Sequence, residues 1–228
     1  MFNTLLQITT DTLSNTGIET ADQEKLSLIS LMMKGGIIMI PIAILFLLTV
    51  FVFFERYFTI RRAVKGDSHF MLNIRDYISN GNVEAAKMLC KNTETPYARM
   101  IEKGIRRIGT PLKNIEVAIE NVGKLELYRM EKNLAVLAMI AGIGPMIGFL
   151  GTVTGMIRAF YDMSVSDQIS PKLLSSGIYE AMVTTVAGLI VGILANIAYN
   201  SLLSLVEKVI YKMEATSVEF MDLLQEPA

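Results

Sequence analysis

Two apolar stretches of this chain carry hydroxyl side chains where a membrane-spanning helix would normally carry bulky ones. Thr152 lies within MIGFLGTVTGMIRAF, residues 146 to 160, and Thr185 lies within residues 181 to 206. A hydroxyl group both donates and accepts hydrogen bonds, so it can help to pass protons through an apolar medium. Glu180 precedes the second stretch and is the nearest carboxylate. These three residues are our candidate proton pathway.

The same stretches lack every side chain that normally carries a proton inside a membrane. Neither contains Asp, Glu or His, and a hydroxyl does not titrate in the useful pH range. If Thr152 and Thr185 serve a proton path, the titrating carboxylate must therefore come from another protein. Glu180 keeps two interpretations, because a carboxylate at a helix N-terminus is favoured by the helix dipole and can also stand at a pore mouth.

Glycine recurs at helical spacing in both stretches. Within lipid there is little hydrophobic force between helices, so small residues that let two backbones approach are what allow helices to associate. We predict that five glycines pack the wall of a pore. Such stripes mark simple helix contacts more often than pores, so a purely structural scaffold remains an alternative. The five are Gly144, Gly148, Gly155, Gly188 and Gly192.

Three uncharged segments define the class of protein. The chain has 228 residues, of which 52% are hydrophobic, and each segment reaches the roughly 20 residues that a helix needs to cross about 30 Å of hydrocarbon. We predict an all-α integral membrane protein with three transmembrane helices, in which the first, with bulky side chains, faces lipid and the other two pack together. The predicted spans are residues 35–57, 133–158 and 178–206.

Lysine and arginine predict the orientation, because cationic flanks resist translocation. Eleven of them flank the spans on one side of the membrane and four on the other. The N-terminal segment 1–34, with an interfacial helix that turns at Gly35 and Gly36 into the first span, is therefore predicted outside, as is the loop 159–177. The helical region 58–132 and the C-terminal helix 207–228 are predicted inside.

The inner region reads as a series of helices. Pro96 and Pro111 suit helix starts, and a short helix begins after Asn82. A continuous helix from 111 to 158 would be about 70 Å long, so it would project far from the membrane. One face of this projection is apolar and is predicted to pack against the short helices or the extension of the third span; it consists of Ile115, Ala118, Ile119, Val122, Leu125 and Met130.

Other classes of function lack support in the sequence. A net charge of −1 gives no reason to expect nucleic acid. Cys90 has no disulfide partner, and His69 alone cannot build a metal site. No phosphate-binding loop and no nucleophile, base or metal cluster is visible, so we predict neither a cofactor nor an enzyme.

Two long motifs bring in a family resemblance. GPMIGFLGTVTGMIRAF, from Gly144, resembles the second-span motif of the MotA/TolQ/ExbB proton channel family, and SGIYEAMVTTVAGLIVGILANIAYN, from Ser176, resembles the third-span motif. Length and topology resemble ExbB most, and TolQ next. By motif position, the family's pore threonines fall on Thr152 and Thr185, and its pore-mouth glutamate falls on Glu180.

The resemblance implies partners that composition cannot supply. ExbB-like proteins form homo-pentamers in the bacterial inner membrane, and their second and third spans line a pore that holds an ExbD-like dimer. The aspartate of that single-span partner carries protons down the proton-motive force, and the motor works on TonB for outer-membrane transport. A TolQ-like role in envelope integrity and a non-conducting scaffold are the alternatives. Departures from the family pattern are the extra hydroxyls of Thr154 and Thr184.

Overall fold

The computed structural model describes residues 35–64, 69–165 and 171–225. All regular elements in these ranges are α-helices, and the predicted interfacial helix of the N-terminal segment lies outside them. In chain order the helices are α1 (Met39–Val64), α2 (Phe70–Ser79), α3 (Val83–Asn92), α4 (Pro96–Ile105), α5 (Leu112–Glu131), α6 (Leu134–Val165) and α7 (Pro171–Gln225).

Three described segments are long and apolar enough to cross a membrane. They are Met39–Ala63 in α1, the α5–α6 segment Leu112–Val165, and Leu174–Gln225 in α7. Helices α6 and α7 make the most extensive contact of any pair, and α1 lies against both, chiefly against α7. The side of α1 that faces away from them exposes bulky apolar residues such as Leu47 and Phe51.

The chain enters α1 through a glycine corner. Gly36 has a φ of 65°, which lies in the left-handed region that glycine adopts without steric cost. Its carbonyl oxygen accepts a hydrogen bond from the N–H of Met39 at 3.2 Å. The turn at Gly35 and Gly36 therefore lies where the sequence predicts it.

The predicted continuous helix from 111 to 158 is wrong. Helix α5 ends at Glu131 and α6 begins at Leu134. Between them, Asn133 adopts a φ of 67°, a left-handed conformation that asparagine tolerates better than most side chains. Helix α5 and the second span are consequently two helices joined at Lys132 and Asn133.

The inner face of α5 differs from the predicted one at a single turn. Ile115, Ala118, Ile119 and Met130 are buried as predicted, but the Leu125 side chain is 61% exposed. Glu126 is buried in its place, with 4% of its surface exposed. The inward face passes through position 126 because residues 115, 119, 122, 126 and 130 follow one helical stripe, from which residue 125 is rotated by about 100°.

The main apolar core joins α2 to α5 and the extension of α7 to the second half of α1 and the first turn of α6. Helix α3 begins after Asn82, whose side chain accepts a hydrogen bond from the N–H of Ala85. Helix α4 begins at Pro96, and its Tyr97 ring meets that of Phe70 edge-on, with 5.2 Å between centroids. From α7 the core receives Leu202, Val206, Val209, Met213 and Phe220.

Candidate site between the two glycine-rich helices

Glycines of α6 and α7 bring the two backbones into direct contact. A Cβ atom built on Gly188 would lie 2.6 Å from the carbonyl oxygen of Gly144 and 2.8 Å from the Cα atom of Gly148. A Cβ atom on Gly148 would lie 3.1 Å from the carbonyl oxygen of Thr184. No side chain fits between the helices here, so their spacing depends on glycine.

The contact continues in both directions. On one side, a Cβ atom on Gly192 would lie 2.7 Å from Cδ of Pro145 and 3.1 Å from the carbonyl oxygen of Ala141. Pro145 has no N–H, so it cannot donate the helical hydrogen bond to this carbonyl oxygen of Ala141. On the other side, a Cβ atom on Gly155 would meet Cβ of Ala181 at 3.1 Å. All five glycines of the predicted set therefore lie on the α6–α7 contact.

The two candidate threonines use their hydroxyls differently. Thr185 donates its hydroxyl proton across the contact to the carbonyl oxygen of Gly148, at 3.1 Å. Thr152 donates back to its own helix, to the carbonyl oxygen of Phe149 at 2.7 Å. Thr152 is half-buried one turn after Gly148, and its hydroxyl does not share the partner of Thr185. Each hydroxyl oxygen can still accept a hydrogen bond.

Thr184 is more deeply placed than either candidate, and our candidate set omitted it. Only 1% of its surface is exposed, and a Cβ atom on Gly151 would overlap its side chain. Its hydroxyl donates to the carbonyl oxygen of Ala181 at 2.8 Å. Its spacing could have indicated it, because Thr184 lies four residues after Glu180 and four residues before Gly188.

Glu180 lies where α7 contacts the segment that precedes α1. It is half-buried, and its Oε1 atom occupies the space that a Cβ atom on Gly36 would fill. Among the described residues, its carboxylate therefore contacts the corner that precedes α1. A role at a pore mouth remains a prediction.

An ionic cluster around the buried Glu126 carboxylate joins α4 and α5, and a hydrogen bond to the backbone links it to α1. The carboxylate of Glu126 accepts hydrogen bonds from Arg99 at 2.7 Å and from Arg129 at 2.6 Å. The guanidinium of Arg56, itself 6% exposed, donates to the carbonyl oxygen of Arg129 at 3.1 Å. That carbonyl belongs to the last turn of α5, where intrahelical partners run out. The i,i+3 spacing of Glu126 and Arg129 is typical of a helical ion pair, but nothing in the sequence pattern connected them to Arg99 or Arg56.

The remaining candidates for chemistry stay apart from one another. Within the described ranges, no group of three or more His, Cys, Asp or Glu side chains could hold a metal ion. Cys90 is buried in the core, and this burial, with the nearby charge of Glu102, raises the pKa of its thiol to about 12. A thiol so rarely ionised is a poor nucleophile.

Fold and site together define a multi-pass helical membrane protein built around two tightly packed, hydroxyl-bearing spans. A model of one family, described as the MotA/TolQ/ExbB proton channel family, matches residues 92–215, which is more than half of the chain. The chain belongs to the MotA/TolQ/ExbB proton channel family. The match includes α6 and most of α7, and it leaves out α1.

Individual relatives carry ExbB and TolQ names. An ExbB-like biopolymer transport protein of Synechocystis sp., ExbB-like 3, is 30% identical over 164 residues, which cover 71% of this chain and 78% of that protein. The biopolymer transport protein ExbB of Helicobacter pylori is 42% identical over 86 residues, 38% of this chain and 59% of that one. The Tol-Pal system protein TolQ of Haemophilus influenzae is 38% identical over 77 residues, 34% of each chain.

Proposed function

We propose that this chain is an ExbB-like channel and motor subunit that converts proton-motive force into mechanical work. In this proposal it forms a homo-pentamer in the bacterial inner membrane, with its N-terminus in the periplasm and its C-terminus in the cytoplasm. An ExbD-like single-span partner contributes the membrane aspartate, and a TonB-like protein receives the work. The family, which comprises proton channels, and the excess of inner lysine and arginine support this proposal.

One observation carries the proposal. Thr185 donates a hydrogen bond from one glycine-lined helix to the other, and the apolar stretches of both helices contain no Asp, Glu or His. Such a wall offers hydrogen bonds but cannot hold a proton, so it suits a pore around a partner's carboxylate. One charge that falls through 100 mV releases about 2.3 kcal/mol, which is enough to bias a rotor with weak wall contacts.

The ExbB-like role is preferred to the TolQ-like one because of how far the relatives extend. The Synechocystis protein covers 71% of this chain, whereas the TolQ protein covers 34%. At 164 residues, the longer match extends beyond the residues 92–215 that the family model covers. Work on a TonB-like protein is accordingly the preferred outcome, with envelope maintenance as the alternative.

Hydroxyl removal tests the proposal in the full complex. The chain is co-purified with its single-span partner, placed in liposomes and given a proton gradient, and the proton flux is compared for wild type, Thr152→Val, Thr185→Val and Thr185→Ser. Loss of a hydrogen bond of about 1 kcal/mol predicts about fivefold lower flux in either valine variant. Thr185→Ser retains the hydroxyl and should stay near wild type.

Two results would overturn the channel proposal. Both valine variants could lose helix-packing stability and keep full flux, which would mean that the two hydroxyls serve packing and not proton transfer. Alternatively, the chain without any partner could pass protons at the rate of the complex, which would mean that the wall needs no external carboxylate.

A further inference from the structure

Glu180 is held by a part of the chain that the family match does not include. The match begins at residue 92, whereas the Glu180 carboxylate lies against Gly36. Nothing in the second- and third-span motifs predicts this contact, because Gly36 and Glu180 are separated by most of the chain.

The space for the carboxylate exists only because residue 36 has no side chain. A Cβ atom on Gly36 would overlap Oε1 of Glu180 and would lie 3.2 Å from its Cδ atom. Gly35 is held by the same helix, since a Cβ atom there would lie 3.5 Å from the Cγ2 atom of Thr184. Glu180 and Thr184, one turn apart on α7, thus form the surface on which the glycine corner packs.

Charge favours this arrangement. Helix α1 has no acidic residue in its first turn, although the free N–H groups of a helix start favour a nearby anion. Glu180 brings a carboxylate to the approach of α1 from α7. The corner is therefore complementary to Glu180 in both shape and charge.

We infer that Gly36 is a positioning residue for the Glu180 carboxylate, and that the glycine corner before α1 fixes where this acid stands at the outer end of the channel. The inference deepens the proposed function, on which its flux arm rests. A methyl group at residue 36 must displace the carboxylate while every residue of the α6–α7 wall stays unchanged. Gly36 would act only through Glu180.

The chain offers a control for backbone strain. Gly81 has a φ of 72°, close to the 65° of Gly36, and no heavy atom lies within 4 Å of a Cβ atom built on it. Gly36→Ala and Gly81→Ala thus share the strain of a left-handed alanine, and only the first collides with a carboxylate. The contrast between them isolates the contact.

Two readouts test the inference in the full complex. Displacement of a proton-transferring group by about 1 Å costs up to about 10²-fold, so we expect Gly36→Ala to lower proton flux in liposomes by about tenfold or more and Gly81→Ala to leave it unchanged. A carbodiimide that modifies carboxyl groups should label Glu180 faster in Gly36→Ala than in wild type, as read by peptide mass spectrometry. Labelling needs no proton conduction.

A double variant separates contact from general damage. In a Glu180→Asp background the carboxylate ends one methylene earlier, so Gly36→Ala should lower flux no further than Glu180→Asp alone. An equal loss of flux in both backgrounds would overturn the inference, as would unchanged flux and unchanged Glu180 labelling in Gly36→Ala. If the wild-type complex carries no flux, the proposed function fails, and the labelling comparison alone decides the role of Gly36.

Discussion

Replacing Gly188 by alanine tests the backbone contact on which the site depends. The new methyl group would stand 2.6 Å from the carbonyl oxygen of Gly144, against about 3.4 Å for ordinary contact. The helices must therefore separate by about 0.8 Å, and a gap of that size forfeits a quarter to a half of the dispersion attraction across it. Overpacking of this kind costs about 1 to 3 kcal/mol. Rigid backbone on both sides leaves no side chain to yield.

Gly142 of α6 provides the matched control, because it lies away from the contact with α7. A Cβ atom on Gly142 meets no heavy atom within 4 Å, so Gly142→Ala adds only the helix propensity of alanine, up to about 1 kcal/mol. Gly188→Ala gains the same propensity, and the difference between the two variants measures the collision alone. We expect Gly188→Ala to be less stable than Gly142→Ala by about 1 to 3 kcal/mol.

The assay follows from the composition. The chain contains no tryptophan, so unfolding of the purified chain in mild detergent is followed by far-ultraviolet circular dichroism during titration with a denaturing detergent. Equal free energies of unfolding for Gly188→Ala and Gly142→Ala would refute the backbone contact between α6 and α7. The glycine stripes would then need another explanation.

Two further predictions concern the helices α3 and α5. Glu126→Gln removes the charge that holds Arg99 and Arg129 and should lower the free energy of unfolding by about 1.5 to 3 kcal/mol. Glu116→Gln, in an exposed pair with Lys113, should change the free energy of unfolding little. Equal effects of the two substitutions would refute the role of burial. Because the pKa of the Cys90 thiol is higher in the folded state than in the unfolded state, its protonation stabilises the folded chain. This contribution to stability is complete below the unfolded pKa of 9.0 and is lost as the pH rises toward about 12. At pH 8, iodoacetamide should thus alkylate Cys90 only as the chain unfolds, and rapid alkylation of the folded chain would contradict its burial.

The sequence predicted those features that depend on local spacing. Gly144, Gly148, Gly188 and Gly192 lie four residues apart in pairs, and a helix turns this spacing into a stripe on one face. Within lipid such a stripe has few uses other than close packing. The two spans and their mutual contact could therefore be anticipated, as could the helix that starts at Pro96.

Features that depend on contacts between distant segments could not be read from spacing. Asn133 interrupts the long helix in a conformation that local propensity does not require, and Glu126 is tolerated inside because Arg99 and Arg129 reach it from two helices. The contact between Glu180 and Gly36 joins residues that are 144 positions apart. Each needs a partner that only the folded chain supplies.

Helix α1 links these findings, although it lies outside the family match and carries few small residues. Just before its start, Gly36 contacts Glu180 of α7; about two turns before its end, Arg56 donates to the carbonyl oxygen of Arg129 in the last turn of α5. Twenty helical residues span about 30 Å, so the distance between these two contacts is close to the thickness of a hydrocarbon core. Because α5 leads into α6 through the joint at Asn133, α1 contacts α7 at one of these positions and the helix before α6 at the other. The span that lies outside the close α6–α7 contact thereby bears on the placement of both helices in it.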